Sequence, residues 1–283
     1  MRKEVDREEQ QLRAMPPDMF LPADVFNAHV GHFWGITETR PYMRARYGLI
    51  EAILKLKTFD ATQSALDDTM DLLRLCRSDN MGVRSLVPPL LLRLGRDQAC
   101  YDFVKWWAKS SDDNHYDWGD LSNPYLDIKD ADLTEDVEYM CGSFPDLSHI
   151  VSLTLVKIRL LLALKDCLQE CDVLSEGGKL PTELVDGIQD SLLRKTAVGG
   201  REDIELGPLI EELESQVDEM YHAVQKANQH LWPALLHPGN DLTARPEYSS
   251  QGSVEEMQLT LQYCFDSWSE SPKALDVIRG KLV

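Results

Sequence analysis

Apolar and polar residues alternate with the period of an α-helix over positions 40–110. Four consecutive segments, at about 41–56, 60–76, 81–94 and 96–108, repeat apolar residues at spacings of three and four. This pattern is typical of helices that bury one face. The connectors between the segments are short, and no strand-like alternation interrupts them. The pattern therefore predicts two successive helical hairpins.

Prolines refine the boundaries of these helices. Pro41 suits the first turn of a helix, where a missing N–H removes no hydrogen bond. Pro88 and Pro89 lie inside the third segment, where proline disrupts the helical bonding pattern. We therefore expect the third helix to bend or to start afresh at these two residues.

The two predicted hairpins suggest a structural repeat. Ala65 and Ala99 lie 34 positions apart and would be the small residues at which paired helices approach closely. Pairing Ala61 with Ala99 gives a repeat of 38 positions instead. Both lengths fall in the range of helix-turn-helix solenoids. The pattern favours stacked hairpins and leaves the register open between the two lengths.

The remaining sequence predicts loops and further helices. Residues 111–145 are rich in Asp and Glu, with Lys129 as their one Lys or Arg, and we predict an acidic loop whose aromatic residues drape onto the hairpins. Further helices are predicted at about 146–171 and 181–193, from Leu209 to near Trp232-Pro233, and from Ser271-Pro272 onward. Ser253 and Glu256 form a capping-box pattern that predicts a helix through Ser269.

We divide the chain into a tail and one domain. Residues 1–21 are predicted to be a charged tail or a frayed helix. Residues 22–283 are predicted to be a single all-α domain, since no linker is long or polar enough to separate two. This domain comprises the hairpins with an irregular lead-in (22–110), the acidic loop (111–145) and a non-repetitive helical C-terminal part (146–283).

Charge and composition narrow the classes of partner. The net charge of −19 repels phosphate backbones and anionic lipid, so we expect neither nucleic-acid nor membrane binding. The most apolar window, Leu147–Leu164, contains His149, Lys157 and Arg159, which favours a buried helix over a membrane span. The six cysteines do not follow disulfide-framework spacings, and we predict reduced thiols in the cytoplasm or nucleus.

Three segments carry a family resemblance. They are HFWGITETRPYMRARYGLIEAILKL (32–56), RLCRSDNMGVRSLVPPLLLRLGRDQACYDFVKWW (74–107) and YSSQGSVEEMQLTLQYCFDSWSESPKALDVI (248–278). They resemble a family of tetratricopeptide-like helical proteins whose bacterial members read FWG-x-x-ETRPYMRAR, then NDN-x-GVR and LLLELGR. The resemblance covers roughly a third of the chain, implies a tetratricopeptide-like α-solenoid and transfers no catalytic residue. Similar fungal proteins often add a MYND zinc finger, a motif that this sequence lacks.

Motifs for metal binding and catalysis are weak. Cys167 and Cys171 share a helix face, and His29 and His32 are close, but neither pair has the second pair that structural zinc needs. An acidic alternation from Asp130 begins like a calcium loop but lacks its glycine and its final glutamate. No nucleophile elbow or phosphate loop occurs. We therefore predict no catalytic, cofactor-binding or metal-binding residues.

Arginines are concentrated in the hairpins, and three interpretations of them remain open. The first places them on solvated helix faces, paired with nearby aspartates. The second has Arg44, Asn80 and Arg84 facing a groove that clamps an acidic peptide or a carboxylate terminus. In the third, the acidic segment 112–138 folds over the arginines.

The function predicted from the sequence is a non-catalytic scaffold or adaptor that binds another protein or peptide. An alternative from another class is a helical enzyme or metal-binding protein that uses the His and Cys residues. A further alternative is a regulatory subunit whose zinc module is supplied by a partner.

Overall fold

The computed structural model describes residues 1–19, 21–113, 115–142, 146–176 and 206–282, and there the chain is helical. The α-helices are α1 (Arg2–Ala14), α2 (Val25–Ala28), α3 (Arg40–Leu54), α4 (Phe59–Leu75), α5 (Val87–Arg93), α6 (Asp97–Asp112), α7 (Leu147–Glu176), α8 (Leu206–Ala227), α9 (Leu231–Leu236), α10 (Val254–Ser269) and α11 (Pro272–Lys281). Short 3-10 turns cover Phe33–Gly35, Thr37–Thr39, Val83–Leu86, Glu138–Met140 and Gly239–Thr243. The predicted all-α class is confirmed, whereas the predicted helix at 181–193 lies outside the described residues.

The first half contains the two predicted pairs, α3 with α4 and α5 with α6, and α4 also packs on α5. The third predicted helix starts afresh, as expected from its prolines. The Val83–Leu86 turn is followed by α5, which has Pro88 and Pro89 in its first turn, where no intrahelical donor is needed. α5 is therefore a short helix buried between its neighbours.

The two pairs are not equivalent at the positions that suggested a repeat. Ala65 is fully buried, whereas Ala99 is exposed, so they do not mark matching close approaches. The three-and-four spacing of apolar residues from Tyr42 onward predicts Leu56 on the buried face of the first helix. This prediction is wrong, because α3 ends at Leu54 and Leu56 is 66% exposed. Lys57 then adopts a left-handed conformation with φ of 54°, which turns the chain into α4.

The N-terminal residues are packed rather than loose. Helix α1 lies on α3 and buries Val5 and Leu12. The guanidinium of Arg13 lies 4.1 Å from the centre of the Phe26 ring, a cation–π contact. In the predicted irregular lead-in, Phe33 is fully buried, with its ring centre 5.3 Å from that of Phe26. The structure therefore shows a docked helix at positions predicted to be a tail or a frayed helix.

Helix α7 is the centre of the structure. It packs against α5, α6, α8, α10 and α11 and so contacts helices from both halves of the chain. Its segment Leu147–Gln169 is long and apolar enough to cross a membrane, with a mean hydropathy of 1.8, but 83% of the apolar window is buried inside the protein. Because other helices bury it, α7 is a core helix, as predicted from the charged residues within this segment.

Lys157 of α7 holds the acidic loop against the helices by hydrogen bonds. Its side chain is fully buried, and its Nζ donates to the carbonyl oxygens of Leu133 (2.6 Å) and Glu135 (2.8 Å) and to Oε1 of Gln216 (2.7 Å). Burial lowers the pKa of Lys157 to about 8, against the opposing effect of nearby carboxylates. Three acceptors for three ammonium protons satisfy this buried cation.

The loop carboxylate beside Lys157 is also paired. Glu135 accepts hydrogen bonds from the Tyr101 hydroxyl at 2.6 Å and from Lys105 Nζ at 2.7 Å. The Gln216 side-chain amide donates to the Thr134 carbonyl oxygen at 2.9 Å. We call Lys157, Leu133, Thr134, Glu135, Gln216, Tyr101 and Lys105 the Lys157 cluster. It ties the loop to α6, α7 and α8.

Arg77 holds the outer part of the loop. Its Nη1 donates to the carbonyl oxygens of Leu121 (3.2 Å) and Asn123 (3.3 Å), and its guanidinium lies 4.9 Å from the Tyr125 ring centre. Trp118 stacks on Trp107 of α6 with ring centres 5.5 Å apart. The loop therefore folds over Arg77 as proposed, but through carbonyl oxygens and rings rather than carboxylates.

The C-terminal helices follow the predicted caps with one change. The Ser253 hydroxyl accepts the backbone N–H of Glu256 at 3.2 Å, the forward half of a capping box that starts α10. The Glu256 carboxylate accepts from the Gly252 N–H at 2.7 Å. Trp232 and Pro233 do not end the preceding helix as predicted, because α8 stops at Ala227 and both residues lie in the separate helix α9.

Candidate functional site

Two cavities adjoin along helix α10. The larger, about 860 Å³, lies between the Val83–Leu86 turn, α6, the start of α7 and α10, and we call it the Arg84 cavity. The smaller, about 570 Å³, lies between the α3–α4 turn, α5, the segment after α9 and α10, and we call it the Lys55 cavity. Leu259 and Tyr263, one turn apart on α10, line both. The two cavities therefore meet at this helix.

Backbone geometry places Arg84 at the first cavity. The buried carboxylate of Asp79 accepts the backbone N–H groups of Val83 at 2.8 Å and Arg84 at 2.9 Å, which caps the 3-10 turn. Gly82 precedes the turn with φ of 71°, a conformation that glycine adopts without strain. Burial raises the pKa of Asp79 to about 6, although these two backbone hydrogen bonds oppose the rise. The segment SDNMGVR (78–84) thus forms a capped turn that orients Arg84.

The Arg84 side chain is held on two sides. Its Nε donates to Oδ2 of Asp146 at 3.3 Å, and its guanidinium lies 4.8 Å from the Trp107 ring centre. The side chain remains 34% exposed. Among the described hydrogen bonds its Nε is the only side-chain donor in use. The two terminal nitrogens therefore remain available for a carboxylate or another planar acceptor.

Asp146 links the cavity to the start of α7. Its Oδ1 accepts the backbone N–H of Ser148 at 3.1 Å, so it caps the helix as well as pairing with Arg84. Burial raises the pKa of this carboxyl group, but the effects of His149 and Arg84 outweigh it, and the net pKa is lowered. Asp146 is therefore ionised at neutral pH and fixes the orientation of Arg84.

Three residues that line the Arg84 cavity carry a buried polar atom with no hydrogen-bond partner among the described residues. These atoms are Nε2 of His149, Nε1 of Trp107 and the hydroxyl oxygen of Tyr139. His149 is 3% exposed, and burial lowers the pKa of its ring, against the effect of the Asp146 carboxylate, whose Oδ2 lies 4.0 Å from Nε2. Buried polar groups are normally paired, so unsatisfied ones are informative. They distinguish this wall from the satisfied Lys157 cluster.

The three residues predicted for a binding groove do not line one cavity. Arg84 lines the larger one, whereas Arg44 and Asn80 line neither. Arg44 is exposed, with its guanidinium 5.5 Å from the Trp34 ring centre. Asn80 is also exposed, and its Oδ1 accepts a hydrogen bond from the Ser78 hydroxyl at 2.9 Å. A role for Arg44 and Asn80 in binding stays a prediction about the open surface.

The described residues show no metal cluster and, at His149, no paired nucleophile. No group of three or more His, Cys, Asp or Glu residues within the described ranges could hold a metal ion. No described hydroxyl or thiol hydrogen-bonds to Nε2 of His149, so no nucleophile is paired with this imidazole. Burial raises the pKa of the Cys264 thiol to about 12, which leaves it protonated at neutral pH. The acidic alternation after Asp130 caps its own loop instead, as Asp132 Oδ1 accepts the Thr134 N–H at 2.8 Å.

The Lys55 cavity combines an apolar floor with basic residues. Its floor includes Leu54, Leu90 and Phe265. Lys57 and Arg93 on its wall are neutralised, since Asp266 lies 2.8 Å from Lys57 Nζ and 3.7 Å from Arg93 Nη1. Two further cations on its wall, Lys55 and Arg245, are exposed and form no ion pair with the described residues.

Comparisons with known proteins add no identity to this geometry. No protein-family model, curated protein or solved structure matches the chain. The resemblance to tetratricopeptide-like proteins therefore stays a prediction from the sequence.

Sequence reasoning missed the residues that complete the Arg84 cavity. No motif in the sequence singles out Trp107, Asp146 or Tyr263, because their approach to Arg84 depends on how α6, α7 and α10 meet. His149 did give a signal, as an imidazole inside an apolar helix, but the sequence does not show which cavity it borders.

Proposed function

We propose that this chain is a non-catalytic adaptor that binds a segment of another protein, with the Arg84 cavity as the binding site. The observation that carries the proposal is the state of Arg84. Its guanidinium is held by Asp146 and Trp107 yet keeps its terminal nitrogens open to a cavity of about 860 Å³. Such a fork recognises carboxylates, so an acidic side chain or a terminal carboxylate of the partner fits this position.

The unpaired wall atoms support a binding role over a purely structural one. A ligand that reached Trp107 Nε1 or His149 Nε2 would satisfy a group that is costly to leave unpaired. No described nucleophile or metal cluster accompanies them, which favours binding over turnover. A binding role therefore accounts for both the open Arg84 guanidinium and the unpaired atoms on the cavity wall.

Quantitative affinity capture from the source cells tests the proposal, followed by binding measurements with purified partner. The variants are Arg84→Gln, which removes the fork, and Lys129→Gln, an exposed residue outside both cavities. We expect Arg84→Gln to weaken binding at least about tenfold, since a desolvated charge contact is lost, and Lys129→Gln to bind as the wild type does. Arg44→Glu in the same assay tests whether the surface around Trp34 contributes.

The alternative classes have distinct outcomes. Equal binding by wild type and Arg84→Gln would remove the cavity from the proposal. Stoichiometric zinc in purified protein, measured by elemental analysis, would contradict the scaffold-only function.

A further inference from the structure

The Lys55 cavity is a second surface with its own chemistry. Leu54, Leu90 and Phe265 contribute to its floor, and Lys55 and Arg245 line it from two different elements. Lys55 follows the last residue of α3, and Arg245 lies in the segment between the Gly239–Thr243 turn and α10. Two elements distant in sequence thus bring cations to one apolar depression.

The cations at this cavity fall into two groups, those that form ion pairs with described residues and those that do not. Lys57 pairs with Asp266 at 2.8 Å, and Arg93 pairs with Glu270 at 3.0 Å, so both are committed to holding the α3–α4 turn against α10. The Arg93 side chain is only 7% exposed. Lys55 and Arg245 have no such partner among the described residues and remain exposed. Glu51, four residues before Lys55, is an exposed carboxylate on the same wall and forms no ion pair with the described residues. The two exposed cations are therefore accessible to a ligand.

This pattern runs against the charge of the whole chain. The protein carries a net charge of −19, whereas four cations and only two carboxylates, Glu51 and Asp266, line this cavity, so its wall is a local excess of positive charge. The same turn exposes two large apolar side chains, Leu56 at 66% and Phe59 at 63%. Exposed apolar surface next to charge is typical of interaction sites. The local positive charge attracts an anion, and the apolar floor stabilises an apolar side chain that is buried against it.

We propose that the Lys55 cavity docks a short acidic segment of a partner protein that inserts one large apolar side chain between Lys55 and Arg245. The apolar residue packs on Phe265 and the leucine floor, while flanking Asp or Glu residues contact the two cations. A short segment fits better than nucleic acid, because the surrounding negative charge repels an extended polyanion beyond the cavity. The proposal concerns different residues from the Arg84 cavity and does not depend on the function proposed for it.

The test is selection from a random dodecapeptide display library on immobilised full-length protein, followed by fluorescence polarisation with the enriched peptides. We expect enriched peptides with a net negative charge and a large apolar residue. Their affinity should fall about tenfold with the double variant Lys55→Glu/Arg245→Glu, because two attractions become repulsions. Both residues are exposed, so the fold should tolerate the changes, which circular dichroism and urea unfolding check.

Two controls make the result decisive. Lys129→Glu adds negative charge outside both cavities and should change the affinity less than about twofold, since distant exposed charges are screened. Replacing the apolar residue of the peptide with serine should abolish binding. No enrichment, enrichment of neutral or basic peptides, or equal binding by the double variant would each overturn the proposal.

Discussion

The Lys157 cluster and the Arg84 cavity both place a cation beside helix α7, but they treat its hydrogen-bonding capacity in opposite ways. Lys157 is fully buried and gives all three donors to protein acceptors. Arg84 is 34% exposed and uses Nε alone among its side-chain donors, within the described residues. Beside it, His149 Nε2 lacks a hydrogen-bond partner in the described part of the chain. A closed polar network stabilises and positions, whereas an open one keeps capacity for a ligand.

The largest expected effect on stability comes from removing the ammonium group of Lys157 from the Lys157 cluster. Lys157→Met keeps a flexible side chain but leaves two buried carbonyl oxygens and Gln216 Oε1 without a donor. We expect the free energy of unfolding to fall by about 3 kcal/mol, measured by urea denaturation. Limited proteolysis should then cut the acidic loop faster.

Lys165→Met on the same helix is the matched control. Lys165 pairs with Glu214 in an exposed position, so we expect a change within about 0.5 kcal/mol. If the two lysine variants lost equal stability, the Lys157 cluster would not be the anchor described here.

A smaller effect on stability is expected at the open site. Arg84→Gln removes one ion pair with Asp146 and the contact with the Trp107 ring. We expect unfolding to become easier by about 1 kcal/mol, since both contacts are partly solvated. A loss as large as that of Lys157→Met would show that Arg84 is structural, and the contrast between the two regions would fail.

His149→Phe should lower stability at neutral pH by about 1 kcal/mol, because it removes the unpaired Nε2 but also the hydrogen bond between the ring and the Arg84 backbone, and it keeps an aromatic ring beside Phe103. Its clearer signature is pH dependence. The folded-state pKa of His149 is lowered, so below about pH 6.5 the unfolded chain binds a proton that the folded chain does not. Wild-type stability should therefore fall relative to His149→Phe as the pH drops from 7 to 5. Urea denaturation across this range measures the difference, and parallel curves for the two proteins would contradict it.

The smallest effect is the titration of Lys157 itself. NMR detection of its Nζ should give a midpoint near the pKa of about 8, well below that of exposed lysines. Between about pH 8 and 10.4 the folded chain binds fewer protons here than the unfolded chain, so this group makes unfolding harder as the pH rises. An ordinary midpoint near 10 would mean that water reaches the Lys157 cluster.

Local patterns in the sequence predicted much of the helical structure. The fresh start at Pro88 and Pro89 follows from the stereochemistry of proline alone. The α10 cap at Ser253 likewise depends on residues within one turn. The exposed Leu56 was mispredicted because periodicity does not show where α3 stops. The exposed Ala99 shows the same limit, since spacing between alanines does not define which helices touch.

The candidate site was predicted only in part, for a related reason. Arg84 was singled out as one of the arginines that are concentrated in the two hairpins. Trp107, Asp146 and Tyr263 come from three other elements, and their meeting depends on tertiary packing. The polar residues inside the apolar helix α7 were visible as exceptions. Whether such an exception is satisfied, as Lys157 is, or unpaired, as His149 is, depends on distant partners.

The central position of α7 has a consequence for synthesis on the ribosome. The helices before it pack largely with their neighbours in sequence, whereas three helices that cover α7, namely α8, α10 and α11, are translated after it. When the apolar segment Leu147–Gln169 leaves the ribosome, α5 and α6 are already available to cover one part of it, but the surfaces that cover the rest have not yet been synthesised. The core around α7 is therefore completed only when the last two helices of the chain have emerged.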